Sequence, residues 1–197
     1  PCLIIGRPGD GDHDISYLDV DNVAVGYCMV CHVLDNGHTD ILFVNPPQEY
    51  TISQDRLSGY KLALSDMEIP FDPESVICCG FTADDARRAM GAYLDTHPVP
   101  SAVIANSDTQ AVGILEALNE RGIKVPRDCS MICGGEGILL RMHETPISGV
   151  DLHHTELGKR AAILMMHLID KTLIQTTKYH VPFVLNDRGS VTKRDNL

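Results

Sequence analysis

The most informative part of this sequence is residues 101–135, which read SAVIANSDTQAVGILEALNERGIKVPRDCSMICGG. Residues 101–106 form a short apolar run, as is typical of a strand buried on both faces. Ser107 is followed three residues later by Gln110, a capping-box pattern that marks the start of a helix. Apolar residues at helical spacing follow, and Gly122 stands where a helix commonly ends.

A second apolar run at residues 129–133 completes a strand–helix–strand unit, the building block of parallel sheets with ligand sites at the carboxyl ends of their strands. The same alternation continues along the chain, which predicts a three-layer α/β fold with a parallel sheet. Further strands are predicted at residues 2–6, 15–18, 40–45, 75–80, 146–151 and 181–185. Further helices are predicted between residues 19 and 37, 51 and 68, 82 and 97, and 155 and 172. Residues 7–14 and 136–144 are predicted as loops.

Composition excludes several classes of function. The 197 residues carry a formal net charge of −11, and no lysine- or arginine-rich run offers the positive surface that nucleic acid requires. No apolar stretch is long enough to cross a bilayer, so no membrane partner is predicted. The first residues lack the basic start and cleavage site of a signal peptide. Seven scattered cysteines, an odd number, favour a reducing cytoplasm over a disulfide scaffold.

The cysteines and the known catalytic patterns indicate no chemistry. Five cysteines lie in apolar, strand-like segments and are predicted to be buried core thiols: Cys2, Cys78, Cys79, Cys129 and Cys133. The spacing of Cys28 and Cys31 fits a redox or zinc half-site, but a second pair is missing, so a core position or chance is favoured. No nucleophile elbow, phosphate loop or paired-carboxylate pattern occurs. The sequence therefore predicts neither an enzyme nor a cofactor.

Several motifs resemble segments of the lactose-repressor (LacI/GalR) family of bacterial transcription regulators. Residues 122–132 read GIKVPRDCSMI, similar to the family segment GI-x-VP-x-D-x-S-x-I. Other matches follow in family order: Asp21-Asn22 with Gly26-Tyr27, Leu34 with Gly37-His38, Arg56 with Gly59-Tyr60, Gly80-Phe81-Thr82, Leu157-Gly158, and Val181-Pro182 with Arg188 and Ser190. Together these motifs span nearly the whole chain.

The resemblance implies a periplasmic-binding-protein-like type I fold with two lobes. Residues 18–149 and 180–191 would form a nearly complete C-terminal effector lobe, and residues 1–17 and 150–179 the remnants of a similar N-terminal lobe. Family members begin with a helix-turn-helix DNA-binding domain, which has no match here. The resemblance therefore implies a chain truncated at its N-terminus.

The function implied is effector sensing. A small molecule, sugar-like in the family, would bind between the lobes and control operator binding by rearranging them. Operator DNA would be contacted only through the missing domain, by a homodimer. One alternative is a periplasmic-type solute-binding protein of an ABC transporter, against which the seven cysteines argue. The other is a sugar- or nucleotide-handling enzyme, which rests on fold alone.

The family's motifs also imply effector contacts. Arg56 matches an arginine that contacts effector, and its guanidinium could hold vicinal hydroxyls; the alternative is a surface arginine near its helix N-terminus. Phe81 and Tyr17 match aromatic positions where flat rings stack on sugars or purines; the alternative is core packing. Ser107 is predicted to cap its helix, to contact ligand, or both. Arg7 falls near a pocket position of the first lobe.

The sequence departs from the family where relatives read G-[FY]-D-[DN] and the aspartate contacts ligand hydroxyls. Here the run is CGGE, so Gly135 stands in the aspartate position and Glu136 is the nearest possible substitute. His154 falls at a pocket-lining position. A metal site formed by His153, His154 and Glu156 is the weaker interpretation, because adjacent histidines point in different directions and no third ligand has metal-site spacing.

Overall fold

The computed structural model describes residues 1–9, 15–172 and 176–194, which form two β-sheets of unequal size. The strands are β1 (Leu3–Ile5), β2 (Ser16–Val20), β3 (Ile41–Asn45), β4 (Val76–Cys78), β5 (Ala102–Ala105), β6 (Ser130–Cys133), β7 (Ser148–Asp151), β8 (Lys178–Val181) and β9 (Val184–Asn186). The helices are α1 (Asn22–Asp35), α2 (Thr51–Asp66), α3 (Ala83–Thr96), α4 (Asp108–Glu120), α5 (Ile138–Arg141) and α6 (His154–Ile169).

The large sheet has the strand order β4-β3-β5-β6-β7-β9 and is parallel except for β9, which is antiparallel to β7. Alternate residues of its buried strands face opposite helix pairs. Ile41 and Phe43 pack with α1 and α2, whereas Leu42 and Val44 pack with α3 and α4. The predicted α/β fold with three layers is therefore confirmed.

The small sheet is β1-β2-β8, all parallel, and α6 packs on its first two strands. Leu18, Val20 and Leu157 extend the α1–α2 side of the core into this sheet. The chain passes between the sheets after β2, after β7 and after β8. In the described residues, no helix is both long and apolar enough to cross a membrane.

Two predictions about local structure and one about cysteine burial are wrong. The last predicted strand, residues 181–185, is in fact the end of β8 and most of β9, which belong to different sheets. Pro182 lies between them, and a proline has no N–H with which to continue a ladder. The predicted loop at 136–144 contains the short helix α5. Of the predicted loop at residues 7–14, residues 10–14 lie outside the described part of the chain.

The prediction that five cysteines are buried is wrong for three of them. Cys129 and Cys133 are buried as predicted, but Cys79 is only partly buried, and Cys2 and Cys78 are exposed. Cys2 precedes β1 and Cys78 ends β4, and both are edge strands. An edge strand has a neighbour on one side only, so an apolar pattern along it does not guarantee burial.

His38 is a buried histidine whose pKa should affect stability. Its Nε2 donates to the carbonyl oxygen of Thr192 (2.8 Å), while Nδ1 is buried and has no partner among the described residues. Burial lowers the pKa of His38 below its ordinary value of 6.5. As the pH falls through that value, the unfolded chain takes up a proton that the folded chain does not, and stability is lost.

We therefore expect the free energy of unfolding to fall between about pH 7.5 and about pH 5, and to fall less in His38→Gln. Urea denaturation across this pH range measures both slopes. The matched control is His97→Gln, at an exposed histidine, whose slope is compared with that of His38→Gln. Equal slopes for wild type and His38→Gln would contradict the assignment.

Candidate functional site

Arg56 occupies the centre of the candidate site. It lies in the second turn of α2 and is 1% exposed, so the alternative of a surface arginine is wrong. Its Nε donates to Asn22 Oδ1 (3.0 Å), and its Nη1 donates to Asn106 Oδ1 (2.6 Å) and to the Asn106 carbonyl oxygen. All three acceptors are uncharged. An effector contact of Arg56 remains a prediction.

Burial lowers the pKa of Arg56 to about 10, so the guanidinium stays charged at neutral pH. The negative charges of Asp19 and Asp108 act in the opposite direction. On the side of the small sheet, Asp19 is the last residue of this polar network. It accepts hydrogen bonds from the side-chain amide of Asn22 (3.1 Å) and from the backbone N–H of Val20 (2.8 Å). Carboxylates that do not contact Arg56 directly therefore compensate its positive charge, and Arg56 forms no direct ion pair among the described residues.

Two asparagines at strand ends complete the network, and neither was predicted from the sequence as a site residue. Asn45 ends β3, and Asn106 follows β5 directly. Asn106 donates its side-chain amide to Asn45 Oδ1, and Asn45 donates to the carbonyl oxygen of Ser53 (3.1 Å). A signal was present in the sequence, because the apolar runs ILFV and AVIA each end in asparagine. Carboxyl ends of parallel strands meet at one edge, where ligands bind.

Arg7 joins the two sheets. It follows β1, and its side chain makes a two-pronged ion pair with Asp55 of α2, from Nε to Oδ2 (2.8 Å) and from Nη2 to Oδ1 (2.9 Å). Its carbonyl oxygen accepts from Thr51 Oγ1 (2.8 Å), and its backbone N–H donates to Asp19 (2.9 Å). The predicted pocket residue is thus a link between the small sheet and α2. Its predicted ligand contact remains untested.

Phe81 lies after β4 and forms an exposed aromatic pair. The residue is 42% exposed, so the alternative of core packing is wrong. Tyr50 packs edge-on against it, with ring centroids 5.0 Å apart, and was not identified from the sequence. Thr109 of α4 donates to the Phe81 carbonyl oxygen (2.7 Å), which ties this loop to the adjacent helix. Exposed flat rings at a strand end suit stacking on a sugar face.

Ser107 and Tyr17 have mainly structural positions. Ser107 is the N-cap of α4, where its Oγ accepts from the backbone N–H of Gln110 (3.4 Å), so the capping prediction is confirmed. Tyr17 is 8% exposed, as core packing requires, and its ring centroid lies 6.3 Å from that of His180. In the described residues, no hydrogen bond or ring contact joins Tyr17 to Arg56 or Phe81. Ligand contacts of both residues remain predictions.

Glu136 and His154 line a cleft of about 450 Å³ between the carboxyl ends of the large sheet and the start of α6. The Glu136 carboxylate already accepts from Arg188 and from the side-chain amide of Asn186 (2.8 Å). Asp108, the first residue of α4, lines the same cleft and was not predicted as a site residue. His153 also lines it, with its backbone N–H bonded to Asp151 Oδ1 (2.8 Å). In the described part of the chain, no cluster of three or more metal-binding side chains occurs.

Comparison with known proteins identifies the family. Residues 30–191 match the model of the periplasmic binding protein-like domain. The HTH-type transcriptional regulator CelR of Thermobifida fusca is 30% identical over 179 residues, which cover 90% of this chain and 52% of CelR. The HTH-type transcriptional repressor PurR of Actinobacillus pleuropneumoniae is 29% identical over 189 residues, covering 94% of this chain and 56% of PurR.

A solved structure of the transcriptional regulator CelR–cellobiose complex superimposes with a TM-score of 0.90 at 28% identity, covering 95% of this chain and 58% of that chain. The chain spans about half the length of the curated relatives it matches. Because the family match covers most of its residues, the chain belongs to the family of periplasmic binding protein-like domains, in the form that LacI-family transcriptional regulators carry.

Proposed function

We propose that this chain is the effector-sensing domain of a bacterial LacI-family transcriptional regulator, with a sugar-like effector bound in the cleft between its sheets. The observation that supports this proposal most strongly is the arrangement of polar side chains at the carboxyl ends of the strands of the large sheet. There the buried Arg56 network lies at the ends of β3 and β5, and a cleft at the same edge is lined by Asp108, Glu136 and His154. Phe81 is exposed after β4, and Thr109, the residue after Asp108, donates to its carbonyl oxygen. The similarity to a cellobiose-bound regulator supports a sugar as effector.

The signal would pass through relative movement of the two predicted lobes, one built on the large sheet and the other on the small sheet. Three chain crossings connect the sheets, and the Arg7–Asp55 ion pair spans them. An effector shifts such an arrangement only if it binds one state more tightly than the other. Operator DNA would be contacted by a helix-turn-helix domain outside these 197 residues.

A cytoplasmic regulator without catalytic activity fits these relatives. CelR and PurR are named as transcriptional regulators, which does not favour the alternative of a transporter's solute-binding protein. Neither is named as an enzyme. We infer that any ligand is bound and released unchanged.

Sugar binding and the role of the aromatic pair can be tested together. We expect Phe81→Ala to weaken binding of a neutral sugar about three- to tenfold, because a stacking contact of this kind contributes about 0.5–1.5 kcal/mol. Isothermal titration calorimetry with cellobiose, glucose and ribose measures the affinities. Leu62→Ala removes a similarly exposed apolar side chain from α2 and should change nothing. If wild type binds none of these sugars, the proposed effector class is wrong.

We further infer a homodimer, as the family resemblance implies. Three apolar side chains of α5 and the residue after it are unusually exposed: Ile138 (61%), Leu139 (69%) and Met142 (77%). They lie beside a groove of about 630 Å³ between α4 and α5, lined in part by Leu115 and Val125. Apolar patches of this kind mark interaction sites, and the occupant we assign is a second copy of this surface.

Met142→Glu is expected to shift the chain from dimer to monomer, because a charge would be buried at the centre of the contact. Light scattering coupled to size-exclusion chromatography gives the mass. Met67→Glu, at an exposed methionine after α2, is the matched control and should remain dimeric. A wild-type monomer at all concentrations would contradict the proposal.

A further inference from the structure

The geometry points to Asp108 as the carboxylate that accepts ligand hydroxyl groups in this chain, and to a neutral sugar as the ligand class it selects. This inference rests on the proposed function, which assigns a sugar-like ligand to the same cleft. It names a specificity-determining residue that neither the motifs nor the family match assigned.

Asp108 is placed as a ligand acceptor should be. It is the first residue of α4, where the helix dipole and unpaired N–H groups stabilise a negative charge. Its side chain is partly exposed and lines the cleft with His153 and His154. Oδ1 accepts a weak hydrogen bond from the Cys133 thiol (3.6 Å), and within the described residues no hydrogen bond to Oδ2 is found. One oxygen therefore remains available to a hydroxyl donor.

Two glycines make room for this carboxylate. A Cβ atom at Gly135 would lie 2.5 Å from Asp108 Oδ1, and one at Gly137 would lie 2.8 Å from Oδ2. Real Cβ atoms do not approach other atoms so closely, so any side chain at position 135 would displace the Asp108 carboxylate. The family pattern places an aspartate at 135. In this chain the space at that position is occupied by a carboxylate that comes from α4.

The neighbouring carboxylate is a poorer candidate. Glu136 lines the same cleft, but Arg188 and Asn186 already bond to one of its oxygens, and Arg188 compensates its charge. Asp108 has no such direct partner among the described residues, although the charge of the buried Arg56 acts on it. A hydroxyl donor satisfies Asp108 without adding charge, whereas a phosphate or carboxylate group would be repelled by it.

Arg141 and Lys159 also line the cleft, which makes a sugar phosphate the competing ligand class. The test therefore titrates the full 197-residue chain with cellobiose, glucose and ribose, and separately with glucose 6-phosphate, ribose 5-phosphate and inorganic phosphate. Asp108→Asn keeps the shape and removes the charge. Gly135→Ala leaves residue 108 an aspartate, but the added methyl group forces its carboxylate to move.

We expect both variants to bind the neutral sugar at least about tenfold more weakly than wild type, because hydrogen bonds to charged groups are the stronger class. Glu120→Gln removes a charge from the other end of α4, and Gly158→Ala adds a methyl group where nothing lies within 4 Å. Both controls should bind as wild type does. If Asp108→Asn does not fold, as judged by circular dichroism, Gly135→Ala decides the question.

The outcomes separate the two proposals. Neutral-sugar binding that is unchanged in both variants would overturn the role of Asp108 and leave the sensing function intact. Tighter binding of a sugar phosphate than of its parent sugar would overturn the ligand class alone. Binding of no neutral sugar by wild type would overturn the sugar-like effector class of the proposed function, and this inference with it.

Discussion

Arg56→Ala is expected to lower the free energy of unfolding by about 3–5 kcal/mol. The variant would leave Asn22 Oδ1 and two oxygens of Asn106 buried without a donor, and it would open a cavity beneath the cleft. A buried acceptor that loses its partner costs more than the bond itself contributed. Urea denaturation followed by circular dichroism measures the change.

The matched control is Arg88→Ala. Its side chain is 62% exposed and pairs with Asp84 and Asp85 on the surface of α3, so the expected change is below about 1 kcal/mol. Arg56→Lys keeps the charge but cannot donate from two separated nitrogens, so we expect an intermediate loss. An Arg56→Ala variant as stable as Arg88→Ala would show that the network does not hold the fold together.

Gly59→Ala is expected to destabilise the chain by about 2–4 kcal/mol, although alanine favours a helix by about 1 kcal/mol over glycine. A Cβ at Gly59 would collide with the backbone of α1, at the carbonyl oxygen of Val23 and at the N–H of Tyr27 (2.6 Å). A Cβ at Gly26 of α1 would collide in turn with the backbone of α2 at Arg56. The two helices therefore pack at a separation that only glycine permits.

Gly158→Ala is the matched control and should have the opposite sign. Gly158 lies in α6, is exposed and has no atom within 4 Å of the position that an added methyl group would take, so alanine should stabilise by up to about 1 kcal/mol. Both values come from the same denaturation experiment. If Gly59→Ala were as stable as Gly158→Ala, α1 and α2 would have to lie farther apart than the structure places them.

Close packing at these glycines also serves the site. Asn22 precedes Gly26 by about one turn of α1, and Arg56 precedes Gly59 by about one turn of α2. Their 3.0 Å hydrogen bond requires the two helices to approach closely. We therefore expect Gly59→Ala to weaken effector binding as well as stability.

Local patterns in the sequence predicted most of the secondary structure. The start of α3 is an example: the helix was predicted from residue 82, and Thr82 and Asp85 form a capping box there, with Asp85 N–H bonded to Thr82 Oγ1 (3.1 Å). Such signals depend on residues three or four positions apart, and so they can be recognised in any sequence. The division of residues 178–186 between two sheets could not be recognised in this way, because it depends on strands that are distant in the sequence.

The candidate site shows the same difference between local patterns and contacts that are distant in the sequence. Arg56 and Phe81 were identified from motifs and Glu136 from a departure from one, but none of the three was predicted to contact its partner, which is Asn22, Tyr50 and Arg188 respectively. A motif identifies a residue type at a position, whereas a partner is defined by a contact across the fold.

By itself, the sequence determined the α/β class, the order of most elements, the family and the loss of an aspartate at position 135. Only the tertiary structure decided that Arg56 is buried, that Arg7 pairs with Asp55, and that the Asp108 carboxylate occupies the space above Gly135. The physical reason is the range of the interactions. Helix caps and apolar periodicity act within a few residues, but burial and charge compensation are set by strand ends that meet only when the sheet forms.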